Sequence, residues 1–210
     1  MFRAVFGDAR LWRKIIDALS TLIDEANFVA TSEGLRMRAM DPSRVAMVDF
    51  EMDRSAFNEY LCDQETMLGV NFDDFKKILK RATASDKLEL EYSEEEKRLK
   101  VRFIGRTTRT FSIPLLEFGQ EELATPRITF NASVKMLSES LKEAIKDAEV
   151  ISDFVRFEAN PEVFIIRASG DRGEVEVKID MAGGGLLSID VKEPSFAYYS
   201  LSYLGEMIKA

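Results

Sequence analysis

The chain has 210 residues, 46% of them hydrophobic and 31% charged, with a formal net charge of −8. It contains no histidine and a single cysteine, Cys62, which removes the commonest general base and rules out an internal disulfide and an ordinary Cys/His zinc site. No apolar run approaches the roughly 18 residues of a membrane-spanning helix. Together these features predict a soluble intracellular protein.

The N-terminal residues 2–6 alternate as a strand and lack the long apolar stretch of a signal peptide. Asp8 is placed to cap a helix over 10–23, with Leu11, Ile15, Leu19 and Leu22 on one face. Strands are predicted over 27–31, 34–40 and 45–52, with turns at Ser32-Glu-Gly34 and Asp41-Pro-Ser43. A second helix, capped by Asn71, spans 72–82, and three more strands fit 87–92, 98–103 and 109–115. Residues 117–127 are polar, carry Gly119 and Pro126, and read as a linker. Beyond them come a strand over 128–132 and a helix over 134–147 with Leu137, Leu141, Ala144 and Ile145 inward. Strands over 154–159, 163–168, 174–181, 186–192 and 195–199 follow, and then a helix capped by Ser200.

That order is written twice. Residues 69–80 and 198–209 align without gaps at an offset of 129, which matches Phe72 with Leu201, Phe75 with Leu204 and Lys80 with Lys209. A duplication of this kind predicts two similar domains. The fold class is therefore α+β, with a first domain over 1–116, a linker over 117–127 and a second domain over 128–210. The second copy has no counterpart of residues 83–117, so its sheet is expected to lack strands and to expose an unpaired apolar edge. Its shortness reads as a chain cut before the end of the unit, or as a short form completed by a partner.

Because the chain is acidic overall, any nucleic-acid contact has to come from local clusters of positive charge. Such clusters recur on the helices: Arg10, Arg13 and Lys14 on the first, Lys76, Lys77, Lys80 and Arg81 on the second, Lys135, Lys142 and Lys146 on the third, and Lys209 on the last. One basic run is usually only a solvated face; recurrence on four helices points to a surface that seeks phosphate. The third helix also carries Glu139, Glu143 and Asp147 at i, i+4, i+8. That stripe either awaits a basic partner, for which Arg106 and Arg109 are candidates, or pairs locally with Lys142 and Lys146. Gly183-Gly-Gly185 lacks the Lys-Ser or Lys-Thr of a phosphate-binding loop, and Asp73-Asp74 in the first turn of a helix complement its dipole. No catalytic triad or metal-carboxylate cage is apparent.

Several segments are recognisable: Met1-Phe2 opening a strand, Leu22-Ile-Asp-Glu-Ala-Asn27, Met40-Asp-Pro-Ser-Arg-Val45, Met67-Leu-Gly-Val-Asn71 with Lys77-Ile-Leu-Lys80, and Ala144-Ile-Lys-Asp-Ala-Glu-Val-Ile-Ser-Asp153. They resemble the DNA sliding clamp family, proliferating cell nuclear antigen, in its archaeal branch. The resemblance implies a trimeric ring, a homotrimer in the simplest case, with antiparallel sheets outside and two helices per domain lining a hole that encircles double-stranded DNA. It implies no catalysis and no cofactor or metal. Partners would be DNA polymerase, the clamp loader, flap endonuclease and DNA ligase, and the location the cytoplasm of an archaeal cell, or the nucleus of a eukaryotic one. Carried over, Arg13, Lys14, Lys77, Lys80, Lys142, Lys146 and Lys209 would face DNA, with Arg10, Lys76, Arg81 and Lys135 as further candidates; Ser20 stands where some relatives place a basic residue. Partner peptides would dock against Met40, Ser43, Arg44, Val45 and Met47, with Leu123 and Pro126 from the linker. Subunits would meet along Thr107–Ile113 and Glu174–Met181, with Arg109, Thr110, Phe111, Val175 and Val177 on those strands and Glu139, Glu143 and Asp147 opposite Arg109. A heteromeric or checkpoint-type clamp, acting as a signalling scaffold, is the alternative reading.

Overall fold

The computed structural model describes residues 1–117 and 127–208. The chain divides into two compact units, residues 1–117 lying in the first and 127–208 in the second. The first unit runs β1 (Phe2–Phe6), α1 (Ala9–Leu19), β2 (Glu25–Ala30), β3 (Gly34–Met40), β4 (Met47–Asp53), a short 3-10 turn at Arg54–Ala56, β5 (Glu59–Cys62), β6 (Thr66–Asn71), α2 (Phe72–Leu79), β7 (Lys87–Ser93), β8 (Arg98–Ile104) and β9 (Thr108–Pro114). The second runs β10 (Ala132–Met136), α3 (Ser138–Ile151), β11 (Phe154–Asn160), β12 (Val163–Gly170), β13 (Gly173–Asp180), β14 (Leu186–Val191), β15 (Ser195–Ser200) and α4 (Leu201–Met207).

All strand pairs are antiparallel. The first unit holds a five-stranded sheet, β5-β1-β7-β8-β9, and a four-stranded sheet, β4-β3-β2-β6. The second repeats the latter as β13-β12-β11-β15, and among the described residues has the pair β10-β14 in place of the five-stranded one. The duplication extends to register: Phe28 faces Met37 as Phe157 faces Ile166, and Glu25 faces Asn71 as Phe154 faces Ser200. Among the described residues, β7, β8 and β9 have no counterpart in the second unit.

Alternation decides which face of each sheet is buried. Phe2, Ala4 and Phe6 of β1 join Leu88, Leu90, Leu99, Val101 and Phe103 in a core closed by Trp12, Ile16, Phe72, Phe75 and Leu79 of the two helices. Burying one such aromatic or aliphatic side chain contributes roughly 1.5–3 kcal/mol. The second core, Ala144, Ile145, Ala148, Val155, Ile166, Ile179, Leu186 and Leu201 among others, is built from smaller side chains.

The outward faces carry ladders of alternating charge. In the first unit the ladder runs from Glu59 to Arg3 (2.5 Å), Arg3 to Glu89 (2.6 Å), Glu89 to Arg102, Arg102 to Glu91 (2.7 Å), Glu91 to Lys100 (3.7 Å) and Lys100 to Glu96 (2.6 Å). In the second it runs from Lys178 to Glu176 (3.0 Å), on to Arg167, then to Glu158 (3.1 Å) and Arg156 (3.0 Å). Glu89 sits at the buried centre of its ladder. Burial pushes its carboxyl up, and hydrogen bonds from Arg102 and Arg3 outweigh that and hold it below its ordinary value.

Several expected boundaries move. The first helix ends at Leu19 rather than 23, and Leu11 is exposed, because Trp12, Ile16 and Leu19 form the larger apolar stripe. The helix expected over 134–147 is displaced to Ser138–Ile151: Ala132, Val134 and Met136 alternate along a strand instead, and Leu137 takes the extended N-cap position with its side chain outward. The second helix stops at Leu79. Strands β5 and β6 are additional to the sequence reading. Gly34 fits the expected turn, since its φ of +153° and a Cβ position 2.2 Å from the Met52 carbonyl oxygen exclude a side chain.

Candidate nucleic-acid interface

The candidate interface begins with caps that fix the helices. The Asp8 carboxylate accepts from the Arg10 backbone N–H at 2.9 Å, which lowers the Asp8 pKa, and the Asn71 side chain accepts from the Asp74 N–H at 3.1 Å. With Trp12, Ile16 and Leu19 inward, α1 presents Arg10, Arg13 and Lys14 outward. With Phe72, Phe75 and Leu79 inward, α2 presents Lys76 and Lys77, and Lys80 follows as its C-cap. The two helices pack side by side.

The cations are not equivalent. Lys14 and Lys80 are exposed and make no ion pair among the described residues. Lys77 is exposed and its ammonium lies 2.9 Å from Asp74, whose hydrogen bond raises the lysine pKa. Arg13 and Lys76 are half-buried and share one carboxylate: Asp17 lies 3.9 Å from Arg13 Nε and 3.6 Å from Lys76 Nζ, and Lys76 also donates to Ser20 Oγ at 3.0 Å. Ser20 is thus the anchor of a lysine from the neighbouring helix.

In the second unit, α3 turns Ala144, Ile145 and Ala148 inward, leaving Lys146 exposed and Lys142 half-exposed, neither with an ion pair among the described residues. Lys135 is corrected from helix to strand; it is exposed on β10, where period-2 alternation sends it away from Val134 and Met136. Arg81 lies beyond the end of α2, where its carbonyl accepts from Arg109 Nη1 at 2.8 Å. Lys209 lies outside the described residues.

The acidic stripe on α3 is open. Glu139, Glu143 and Asp147 are exposed, and the local pairs with Lys142 and Lys146 are not formed. Arg109 is committed within its own unit: it pairs with the buried Asp86, donates to Arg81 and lies 5.2 Å from the Phe103 ring centroid. Asp86 also accepts from the Thr83 N–H at 2.6 Å, and these bonds outweigh the upward push of burial to keep its pKa low. Arg106 stays exposed. Thr110 and Phe111 lie on β9, and Val175 and Val177 on β13, both edge strands; Phe111 packs on Phe103, and the two valines pack against the second core.

Of the peptide-docking residues, Met40, Ser43, Arg44, Val45 and Met47 surround one loop, while Leu123 and Pro126 lie outside the described residues. The loop is built around Asp41, which opens the turn expected at Asp41-Pro-Ser43. This buried carboxylate accepts from the N–H groups of Ser43 (2.9 Å), Val45 (2.7 Å) and Ala46 (2.7 Å). Asp followed by Pro-Ser was the available signal, since Asp caps turns through its own following amides. Arg44 is held at φ +57°, and Val45 is 71% exposed at the tip.

The family model for proliferating cell nuclear antigen, N-terminal domain, matches residues 1–117. A protein named DNA polymerase sliding clamp from Thermofilum pendens is 42% identical over 208 residues, covering 99% of this chain and 83% of that protein. The one from Pyrococcus horikoshii is 44% identical over the same shares. Among solved structures, PCNA from Thermococcus kodakaraensis superposes with a TM-score of 0.95 at 32% identity, covering 100% of this chain and 85% of that one. The PCNA2–PCNA3 complex from Sulfolobus tokodaii gives 0.89 at 30% identity, covering 99% and 84%.

Proposed function

The chain belongs to the proliferating cell nuclear antigen family of DNA polymerase sliding clamps, and from that premise we propose that it forms a ring around duplex DNA and holds replication enzymes there. A clamp performs no chemistry of its own; it attracts phosphates without reading bases and leaves retention to topology. The observation that carries this reading is a set of exposed cations, Lys14 and Lys146 on helix faces and Lys80 at a helix end, that make no ion pair among the described residues of a chain whose net charge is −8. Mobile ammonium groups on rigid helices supply weak, sequence-independent attraction.

Ring closure would use β9 of one subunit and β13 of the next, each the edge of its sheet with unpaired backbone groups, in a homotrimer. The open acidic stripe of α3 would then meet cations other than the committed Arg109, with Arg106 the candidate. The preorganised loop with Val45 at its tip suits a short apolar peptide anchor from polymerase, clamp loader, flap endonuclease or ligase. The setting would be chromosomal DNA, in the cytoplasm of an archaeal cell. The relatives' names favour this processivity role over a checkpoint-type scaffold.

Retention separates a ring from an ordinary DNA-binding protein. The assembled protein is expected to remain on closed circular DNA and to leave linear DNA through its free ends. Equal retention on both would overturn the ring.

A further inference from the structure

The two units carry the same helices but treat their charges in opposite ways. At the repeat offset, Arg13, Asp17, Ser20 and Lys76 of the first unit correspond to Lys142, Lys146, Glu149 and Gly205 of the second. In the first unit an aspartate stands between two cations, 3.9 Å from Arg13 Nε and 3.6 Å from Lys76 Nζ. In the second, a lysine occupies the aspartate's position and a glycine the lysine's. Gly205 is buried and, being glycine, sends no side chain across from α4 at that point.

We propose that Asp17 is a positioning residue that holds Arg13 and Lys76 back from phosphate, so that the first unit grips DNA through fewer cations than its sequence carries. The geometry supports restraint rather than a closed ion pair. Arg13 Nε and Asp17 Oδ1 are shielded from solvent, yet neither has a hydrogen-bond partner among the described residues. The ion pairs are therefore long, and Lys76 is fixed instead by its bond to Ser20 Oγ at 3.0 Å. A shared carboxylate cancels part of the local positive potential and keeps two long side chains against the protein. The second unit, without this carboxylate, keeps Lys142 and Lys146 without an ion pair among the described residues. A clamp that slides gains from this arrangement, because each phosphate contact added raises the salt-dependent hold on the duplex.

The proposal rests on the DNA-facing reading above, and one experiment tells their failures apart. Binding of the full chain to a blunt-ended duplex is followed by fluorescence anisotropy across a series of salt concentrations. Each phosphate contact contributes about 0.9 to the slope of log K against log salt. Asp17→Asn should steepen the slope by up to ~1.8, the value for two released cations. Lys76→Gln should flatten the slope more in the Asp17→Asn background than alone, a coupling that a purely structural role would not produce. Should Asp17→Asn unfold the protein, Ser20→Ala releases Lys76 from its other anchor and should steepen the slope by up to ~0.9. If Lys14→Gln and Lys146→Gln leave the slope unchanged, the DNA-facing reading fails, and the proposal with it. If those two flatten it while neither Asp17→Asn nor Ser20→Ala steepens it, the proposal alone is overturned.

Discussion

β1 and β10 are the same strand in two copies of one unit, and they live in different surroundings. β1 lies between β5 and β7, and Phe2, Ala4 and Phe6 on it are buried. Among the described residues β10 pairs with β14 alone, and Ala132, Val134 and Met136 remain half-exposed, with Ile128 and Phe130 just before them open to solvent. Local sequence is apolar and alternating in both. What separates them is Lys87–Pro114, the three strands that bring Leu88, Leu90, Leu99, Val101 and Phe103 over the first core. Burial of a strand is decided by elements far away in sequence, which is why one repeat can have a closed core and the other an open flank.

The largest effect that would test this contrast is in the cores. Phe103→Ala should destabilise the first unit by about 3–5 kcal/mol. Val134→Ala should cost the second about 0.8 kcal/mol, half the value of two fully buried methyl groups. The single tryptophan, Trp12, is buried in the first core, so its fluorescence in urea reports that unit, while loss of the remaining far-ultraviolet dichroism reports the second. Equal sensitivity of both units to these changes would break the comparison.

An intermediate effect comes from the charge ladders. Glu89→Gln removes the anion between Arg3 and Arg102 and should cost roughly 1.5–3 kcal/mol. Glu158→Gln should cost less, because that side chain is more open, 17% exposed against 5% for Glu89. The Glu89 pKa is lower folded than unfolded. Its contribution is therefore complete above the ordinary carboxylate value of about 4.3 and is lost as pH falls through the folded value. Glu89→Gln should flatten the acid limb of a stability–pH curve read by Trp12; an unchanged limb would remove the ladder from the account.

The smallest effect sharpens the comparison at the helix starts. Asn71 and Ser200 are repeat equivalents, yet only Asn71 makes a side-chain cap bond; Ser200 Oγ instead lies 2.8 Å from Ser202 Oγ. Asn71→Ala should cost about 1 kcal/mol and Ser200→Ala close to nothing in thermal unfolding. The sequence expectation of a Ser200 cap would be restored by equal losses.

How far the sequence could be read follows the same division between near and far. The caps at Asp8 and Asn71 and the inward Leu141, Ala144 and Ile145 of α3 follow from short-range pattern, so they are legible, whereas Trp12 and Ile16 take the inner face of α1 from the expected Leu11. Strands β5 and β6 were hidden because Arg54–Ala56 interrupts the run and because Glu59–Cys62 alternates over only four residues. The boundary at Leu137 was misplaced because Val134, Met136 and Leu137 satisfy strand and helix spacing alike. Within the candidate site, the commitment of Arg109 to Asp86 and of Lys76 to Ser20 joins residues distant in the chain, and no local pattern announces such pairs. Asp41 was within reach, as an aspartate opening a turn whose following amides it could serve.

The ladder across β5, β1, β7 and β8 has a consequence for heat. Water solvates ions less well as temperature rises, so desolvating Glu89 between two guanidinium groups becomes cheaper in a hot solution, while apolar burial gains little more. The outer face of the first sheet therefore provides a growing share of that unit's cohesion on warming.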